Sequence, residues 1–142
     1  RRTEVTQLGA HVAIDPADVA DHGPYDAVLE LVGAASFASA LSALAVGGRM
    51  AVIGIGSGAE VELDLRRVMA TRARISGSTL RARDRTAKAA VTDGVRRHVL
   101  PHLTAGELTI PVCETFPFVE AGRAYDRFEA GGKLGKIVLV AQ

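Results

Sequence analysis

Three glycines at alternate positions, Gly54, Gly56 and Gly58, directly follow an apolar run that ends at Ile53. A glycine-rich turn after a strand can hold a dinucleotide, because glycine lets the backbone approach a phosphate closely. The spacing departs from the G-x-G-x-x-G fingerprint, since the third glycine comes one residue early. The sequence AEVELDL that follows does not open a helix with an apolar face, and the fingerprint needs a helix N-terminus for the pyrophosphate. On the glycines alone, a tight turn after a strand is the favoured interpretation.

The other side chains with chemical potential form no recognised catalytic or metal-binding constellation. His98 and His102 have the spacing of two metal ligands on a helix, but Pro101 disturbs that helix and no Glu stands at the HExxH position. Ser57 and Ser78 lie in glycine-containing turns without the G-x-S-x-G context of a serine nucleophile. The sequence therefore predicts a solvated face for the histidines, no metal site and no catalytic residue.

Composition narrows the class of protein. The chain has 142 residues, 48% of them hydrophobic, and a net charge of +1 with both signs interspersed. This predicts one domain or pieces of two, with no nucleic-acid surface and no membrane span. Because Cys113 is the single cysteine, an intrachain disulfide is excluded and a cytoplasmic location is favoured. Its side chain is expected to pack within a strand. Because the chain starts at Arg1 in a segment that already reads as helical, we expect a fragment or a trimmed product.

Two apolar strands organise the predicted fold. The run 27–32, broken only by Glu30, is typical of a strand covered on both faces, and the run 50–53 is the second strand. With a helix between them they form a right-handed βαβ unit. Ligands in such sheets bind beyond the carboxyl ends of the strands, which here are 32–33 and 54–57.

The helix between those strands has clear sequence signals. Ser36 is expected to cap it, because a hydroxyl there can accept from an unpaired first-turn amide. Gly47 and Gly48 are expected to end it. Its apolar face is predicted to consist of Phe37, Ala40, Leu41 and Leu44.

Strands and helices alternate along the rest of the chain. Further strands are predicted at 11–14, 73–80, 110–116 and 136–140, and further helices at 1–8, after the cap residue Asp64, at 87–104 and at 117–128. Pro101 should break the long helix. This alternation predicts an α/β fold with a mainly parallel sheet.

Seven segments in order carry a family resemblance. The chain resembles the carboxyl-terminal part of medium-chain dehydrogenases/reductases through LGAHVAID, YDAVLELVG, GGRMAVIG, ARISGSTLRARD, HVLPHLTAGEL, FPFVEAGRAYDRFEAGG and GKIVLV. The resemblance is closest to the zinc-free NADPH:quinone oxidoreductases of the p53-inducible quinone oxidoreductase group, to which GSTLRARD and HVLPHL point. It implies a partial Rossmann-type doubly wound parallel sheet, with the first strand, the glycine-rich loop and the second strand missing. Residues 1–84 would be the later part of the NAD(P)-binding domain, and residues 85–142 a helix-strand segment that returns to the catalytic domain.

The resemblance also implies a chemistry. Full-length proteins of this group transfer hydride from NADPH to quinones or other activated carbonyl or alkene acceptors, without a metal, and the 142 residues alone are expected to be inactive. The matched cofactor positions are Arg1 near the 2′-phosphate, Val32 and Gly33 near the ribose, Gly54, Ile55, Gly56 and Ser57 on the nicotinamide side, and Ser78, Thr79 and Leu80 at the carboxamide. No catalytic acid or base is assigned, because catalysis in this group is mainly positioning.

A homodimer and two other functions complete the expectations. Strand 73–79 is expected at the edge of the sheet, and related enzymes pair this edge with its twofold mate. One alternative is a non-catalytic remnant that dimerises or binds a partner, and another is a Rossmann-like domain for a different nucleotide, such as that of a methyltransferase. An upstream G-x-G-x-x-G after a strand would favour the oxidoreductase, whereas a stop and a start codon flanking the segment would favour the remnant.

Overall fold

The computed structural model describes residues 1–141, which form two compact units. Residues 14–88 form the central unit, and residues 1–13 with 89–141 form the terminal unit. The central unit contains a three-stranded sheet and the terminal unit a two-stranded sheet, and all described strand pairs are parallel. The predicted α/β class with parallel sheets is therefore confirmed. The division into domains at residue 84 stays a prediction.

The elements follow one another in a strand–helix alternation. In chain order they are α1 (Arg2–Gln7), β1 (Tyr25–Glu30), α2 (Ala34–Ser42), β2 (Leu44–Val52), α3 (Leu65–Thr71), β3 (Arg74–Gly77), α4 (Arg85–His98), α5 (Leu100–Thr104), β4 (Val112–Pro117), α6 (Ala121–Glu129) and β5 (Lys136–Val140). Two short 3-10 turns, Pro16–Asp18 and Phe118–Glu120, precede β1 and α6. No helix within residues 1–141 is long and apolar enough to cross a membrane.

The strand–helix–strand unit predicted at the centre is present. β1 and β2 pair in parallel, with Ala27 opposite Arg49 and Glu30 opposite Val52. β3 pairs with the other side of β2, so the order is β1-β2-β3 and β3 is an edge strand within the described chain, as predicted.

The core of the central unit lies on one face of this sheet. The whole predicted apolar face of α2 is buried, and it packs with the fully buried Met50. Val28 of β1 packs against this core, whereas the next residue, Leu29, is 62% exposed because successive side chains of a strand point to opposite faces. The expectation that β1 is covered on both faces is therefore wrong for the described chain.

The ends of α2 differ from the prediction. Its N-cap is Gly33, at φ +105°, and Ser36 lies inside the helix, where its hydroxyl donates to a carboxylate instead of capping an amide. The helix ends at Ser42, and the carbonyl of the next residue, Ala43, accepts from the amide of Tyr25, the first residue of β1, at 2.7 Å.

The two glycines predicted to end α2 lie inside β2 instead. The pairing register shifts by several residues there, and Gly47 has φ +81°. A Cβ on Gly48 would lie 2.8 Å from the carbonyl oxygen of Ala45, so the irregular start of β2 requires a glycine. The pair thus marks a strand irregularity rather than a helix end.

Two further predictions are wrong. Residues 11–14, predicted as a strand, have no regular structure and pair with no strand among the described residues. Cys113 lies in β4, but it is exposed rather than packed in the core.

The terminal unit follows its sequence signals more closely. The break between α4 and α5 comes at Val99, two residues before Pro101, as the proline predicts. α6 and β5 form where their apolar patterns predict them, and α6 packs against both strands of its sheet. Phe118, Tyr125 and Phe128 are nonetheless exposed, so the apolar face of α6 is only partly covered within this chain.

Candidate functional site

The three strands of the central sheet end side by side. Because the three strands are parallel, the segments that follow their carboxyl ends lie side by side at one end of the sheet. These segments are residues 31–33, 53–58 and 78–80, and we call this place the crevice. Open parallel sheets bind ligands at this edge. An open groove of about 540 Å³ lies here, lined by Val52, Ile53, Ile55, Gly77, Ser78, Thr79 and Leu80. The structure thus brings together nine of the ten predicted cofactor residues around one edge.

Backbone and hydroxyl hydrogen bonds fix the 54–58 turn. The amide of Ser57 donates to the carbonyl of Val32 at 2.8 Å, and the Ser57 hydroxyl donates to the same oxygen at 2.9 Å. That hydroxyl also accepts from the amide of Ala35, and the carbonyl of Gly58 accepts from the amide of Ala34, each at 3.0 Å. The turn is therefore tied to the end of β1 and to the start of α2.

The glycines of the crevice have different reasons for being glycine. A Cβ on Gly54 would overlap the carbonyl oxygen of Leu31, and one on Gly33 would lie 2.6 Å from the carbonyl oxygen of Gly58. These two positions therefore need glycine for the packing of the turn itself. A Cβ on Gly56 would meet no atom of the described residues within 4 Å, so no contact within residues 1–141 requires glycine there and the backbone of Gly56 is open to a ligand.

A buried carboxylate lies at the end of β1, next to the crevice. Glu30, the last residue of β1, is only 4% exposed. Its Oε1 accepts from the amides of Val32 at 2.6 Å and Gly33 at 2.9 Å, and the Ser36 hydroxyl donates to both carboxylate oxygens. Burial acts to raise the pKa of Glu30, but the hydrogen bonds from Gly33, Val32 and Ser36 outweigh it, so the pKa lies below its usual value of 4.5. The carboxylate is therefore ionised at neutral pH.

An arginine holds the third segment of the crevice. Nε of Arg83 donates to the carbonyl of Thr79 at 3.2 Å, and its Nη2 donates to the hydroxyl of Ser78 at 3.1 Å. The Arg83 side chain thus reaches back along the chain and fixes the 78–80 turn that precedes it. Sequence reasoning assigned no role to Arg83 or to Glu30. A charged residue inside an apolar strand was the available signal for Glu30, because a buried charge requires partners.

The N-terminus of α2 offers no anion site. The amides of Ala34 and Ala35 are used by the 54–58 turn, and the amide of Ser36 donates to the carbonyl of Gly33 at 3.1 Å. A pyrophosphate needs such amides to be free. The crevice, as formed by residues 14–88, therefore provides no pyrophosphate cradle beside α2.

The tenth predicted residue, Arg1, is not part of the central unit. Arg1 belongs to the terminal unit, where its Nη1 donates to the carbonyl of Lys133 at 3.3 Å and its amino group lies 3.7 Å from a carboxylate oxygen of Glu4. Its assignment to a 2′-phosphate stays a prediction.

Comparison with known families shows to which protein family the chain belongs. The sequence profile described as zinc-binding dehydrogenase matches residues 8–139, nearly the whole chain. The chain belongs to the zinc-binding dehydrogenase family. No curated protein sequence matches it significantly.

Solved structures agree with this membership. A thermostable alcohol dehydrogenase from Pyrobaculum aerophilum is 27% identical, with a TM-score of 0.76 over 98% of this chain and 39% of that one. A mycobacterial quinone oxidoreductase is 24% identical, with a TM-score of 0.78 over 95% of this chain and 44% of that one. A mycobacterial protein solved in complex with NADPH is also 24% identical, with a TM-score of 0.78 over 98% of this chain and 45% of that one.

These matches cover less than half of each related protein. The chain spans 39% to 45% of the length of the three proteins. The two mycobacterial likenesses bear on the fold alone at their level of identity. The family profile and the 27% identical alcohol dehydrogenase confirm the expected relationship to medium-chain dehydrogenases/reductases.

The family name raises the question of a zinc site. Within residues 1–141, no group of three or more His, Cys, Asp or Glu side chains is placed to hold a metal ion. His98 ends α4 and His102 lies in α5, and Nδ1 of His102 is 2.6 Å from Oε2 of Glu107. The described part of this zinc-binding dehydrogenase family member therefore does not itself supply a zinc ligand set.

Proposed function

We propose that this zinc-binding dehydrogenase segment forms the nicotinamide side of an NADPH site in a full-length oxidoreductase that transfers hydride to quinones or similar activated carbonyl or alkene acceptors. The observation that carries the proposal is the open backbone of Gly56 at the meeting point of three strand ends. NADPH would supply the hydride chemistry when bound. The chain's own residues would orient the ring and exclude water from it.

Each segment of the crevice has a distinct task in this proposal. The bare backbone of Gly56 leaves room for a flat ring, and the apolar side chains of Ile53 and Ile55 line the groove beside it. The 78–80 turn, fixed by Arg83, would present its backbone to the carboxamide. Val32 and Gly33 would lie at the ribose. No acid or base is needed in this segment.

The surface beside β1 supports a larger sheet in the full-length protein. Within the described residues β1 pairs only with β2. A groove of about 520 Å³ lies against β1 and the start of α2, and its lining includes the exposed Leu29 and Leu31. We propose that upstream strands of the nucleotide-binding domain cover this surface. In this assignment residues 1–84 belong to that domain and residues 85–142 return to the catalytic domain.

The likenesses support the cofactor and the acceptor class only as analogies. One mycobacterial likeness is described as a quinone oxidoreductase, and another was solved with NADPH. The similar protein from Pyrobaculum aerophilum is an alcohol dehydrogenase, so quinone reduction is not the one activity found on this fold. We favour quinones because the GSTLRARD and HVLPHL segments resemble the quinone reductase group.

The test uses the full-length protein and a substitution at Gly56. NADPH oxidation with a quinone acceptor is expected for the wild type, and Gly56→Val should raise the KM for NADPH about tenfold or more, because the branched side chain fills the space of the ring. The unfolding free energy should stay near that of the wild type, since the Gly56 Cβ position is open. An unchanged KM for NADPH with normal turnover would show that this turn does not meet the cofactor.

A further inference from the structure

Glu30 is the one charged side chain that is buried among the described residues. It lies opposite Val52 in the sheet, and these two residues are the last residues of β1 and β2. It is not among the residues that line the groove of about 540 Å³ at the crevice, although it belongs to the lining of the groove of about 520 Å³ beside β1. None of the roles in the proposed function requires it. A buried carboxylate persists only when hydrogen bonds replace its water, and Glu30 has donors from one hydroxyl and two backbone amides.

These hydrogen bonds connect the carboxylate to the crevice. By accepting from the amides of Val32 and Gly33, Glu30 fixes the peptide units on both sides of Val32. The carbonyl of Val32 then receives both the amide and the hydroxyl of Ser57. The Ser57 hydroxyl in turn accepts from Ala35. A continuous series of hydrogen bonds thus runs from the buried charge to the 54–58 turn.

We propose that Glu30 is a positioning residue, whose carboxylate holds the Val32–Gly33 backbone and, through Ser57, the 54–58 turn in the shape that a cofactor would meet. If the carboxylate lost its charge, the hydrogen bonds that its Oε1 accepts from the amides of Val32 and Gly33 would weaken, and if Oε1 were removed both amides would lack their acceptor. In either case the 31–33 segment would be held less firmly. The turn would then lose its fixed partner at Val32. The effect on a ligand rests on the proposed function, whereas the effect on the turn does not.

The decisive variant is Glu30→Gln in the full-length protein, measured by hydrogen–deuterium exchange of peptides covering residues 31–36 and 54–58. We expect exchange in both peptides to accelerate about tenfold, and the Kd for NADPH to rise by a similar factor. Ser36→Ala removes only one donor to the carboxylate and should give the same pattern to a smaller extent. It also serves if Glu30→Gln does not fold.

A control variant separates positioning from general destabilisation. Leu41→Ala removes a buried side chain of α2 that belongs to the apolar core. It should lower stability while leaving the Kd for NADPH within about twofold of the wild type. Unchanged exchange of the 54–58 peptide in Glu30→Gln, or a loss of NADPH affinity no larger than in Leu41→Ala, would overturn the proposal. If the wild type binds no NADPH, the proposed function fails, and the exchange data alone decide whether Glu30 holds the turn.

Discussion

Ser57 donates twice to the carbonyl oxygen of Val32, once from its amide and once from its hydroxyl. This double contact joins the segments that leave two neighbouring strands, and it is completed inside the protein without any ligand. The glycine spacing that resembles a nucleotide fingerprint is therefore explained in part by packing. Gly54 and Gly33 make the close approach possible, and Gly58 has φ +134°, which favours glycine. Of the three alternate glycines, Gly56 remains for a ligand to use.

The two kinds of glycine should respond differently to alanine. Gly54→Ala places a methyl group against the carbonyl of Leu31, so the strand ends must separate, and we expect a loss of about 3 kcal/mol in the free energy of unfolding. Gly56→Ala, the matched control, should stay within about 0.5 kcal/mol of the wild type. Urea unfolding of both variants tests this, and equal stabilities would contradict the assignment of Gly54 to packing.

Glu30 should make stability depend on pH in the acid range. Because its pKa in the folded protein lies below the usual 4.5, its contribution is fully present above that pH and is lost as the pH falls through the lowered pKa. Glu30→Gln cannot titrate at this position. At pH 7 it should be less stable than the wild type by about 2 kcal/mol, and the difference should shrink below pH 4.5. A difference that stays constant down to about pH 3 would argue against the ionised carboxylate.

Sequence patterns predicted the repetitive parts of the fold well. The apolar spacing of α2 and the apolar runs of β1, β2 and β5 correspond to elements that the structure contains. These patterns are local consequences of burial, so they can be read from the chain alone. The break of the long helix near Pro101 is equally local, because the proline ring excludes a regular helix before it.

Features that depend on distant partners were missed. Ser36 is predicted to cap α2, whereas in the structure its hydroxyl donates to Glu30. The sequence alone does not show that these two side chains would be this close. Gly47 and Gly48 are predicted to end α2, because the sequence does not show that Gly47 takes φ +81° within β2. It also does not show that a Cβ on Gly48 would lie against the carbonyl oxygens of Ala45 and Tyr25.

The ten site residues came from resemblance. The structure explains why two of them, Gly33 and Gly54, must be glycine. It also adds Glu30 and Arg83, to which sequence reasoning assigned no role and which hold the backbone of the crevice.

The described residues alone should bind NADPH poorly. The first-turn amides of α2 are engaged within the protein, so the N-terminus of this helix has no free amides for a pyrophosphate. We expect calorimetric titration of the 142-residue chain to show no binding below about millimolar concentration, because the pyrophosphate contacts are missing. Micromolar affinity would contradict this interpretation of the α2 N-terminus.

The direction of the backbone amides of β3 defines how this edge could associate. The amide of Ser78 donates to the carbonyl of Val52 at 3.1 Å. Amides alternate in direction along a strand, so the amide of Ser76 also points to β2 and that of Ile75 points away from the sheet. Such an unpaired edge favours addition of another strand, and a twofold contact requires the edge to pair with its own copy.

We predict a homodimer built on residues 73–79, and Ile75→Pro should convert it to a monomer. Proline removes the outward amide of Ile75 and leaves the pairing of β3 with β2, because prolines are tolerated where the amide faces away from the sheet. Ser76→Pro, the matched variant one residue along, removes an inward amide and should destabilise the fold itself by about 3 kcal/mol. Sedimentation of the full-length protein distinguishes the two effects when combined with thermal unfolding. A wild type that sediments as a monomer at high concentration, or an Ile75→Pro variant that stays dimeric while folded, would rule out this edge as the interface.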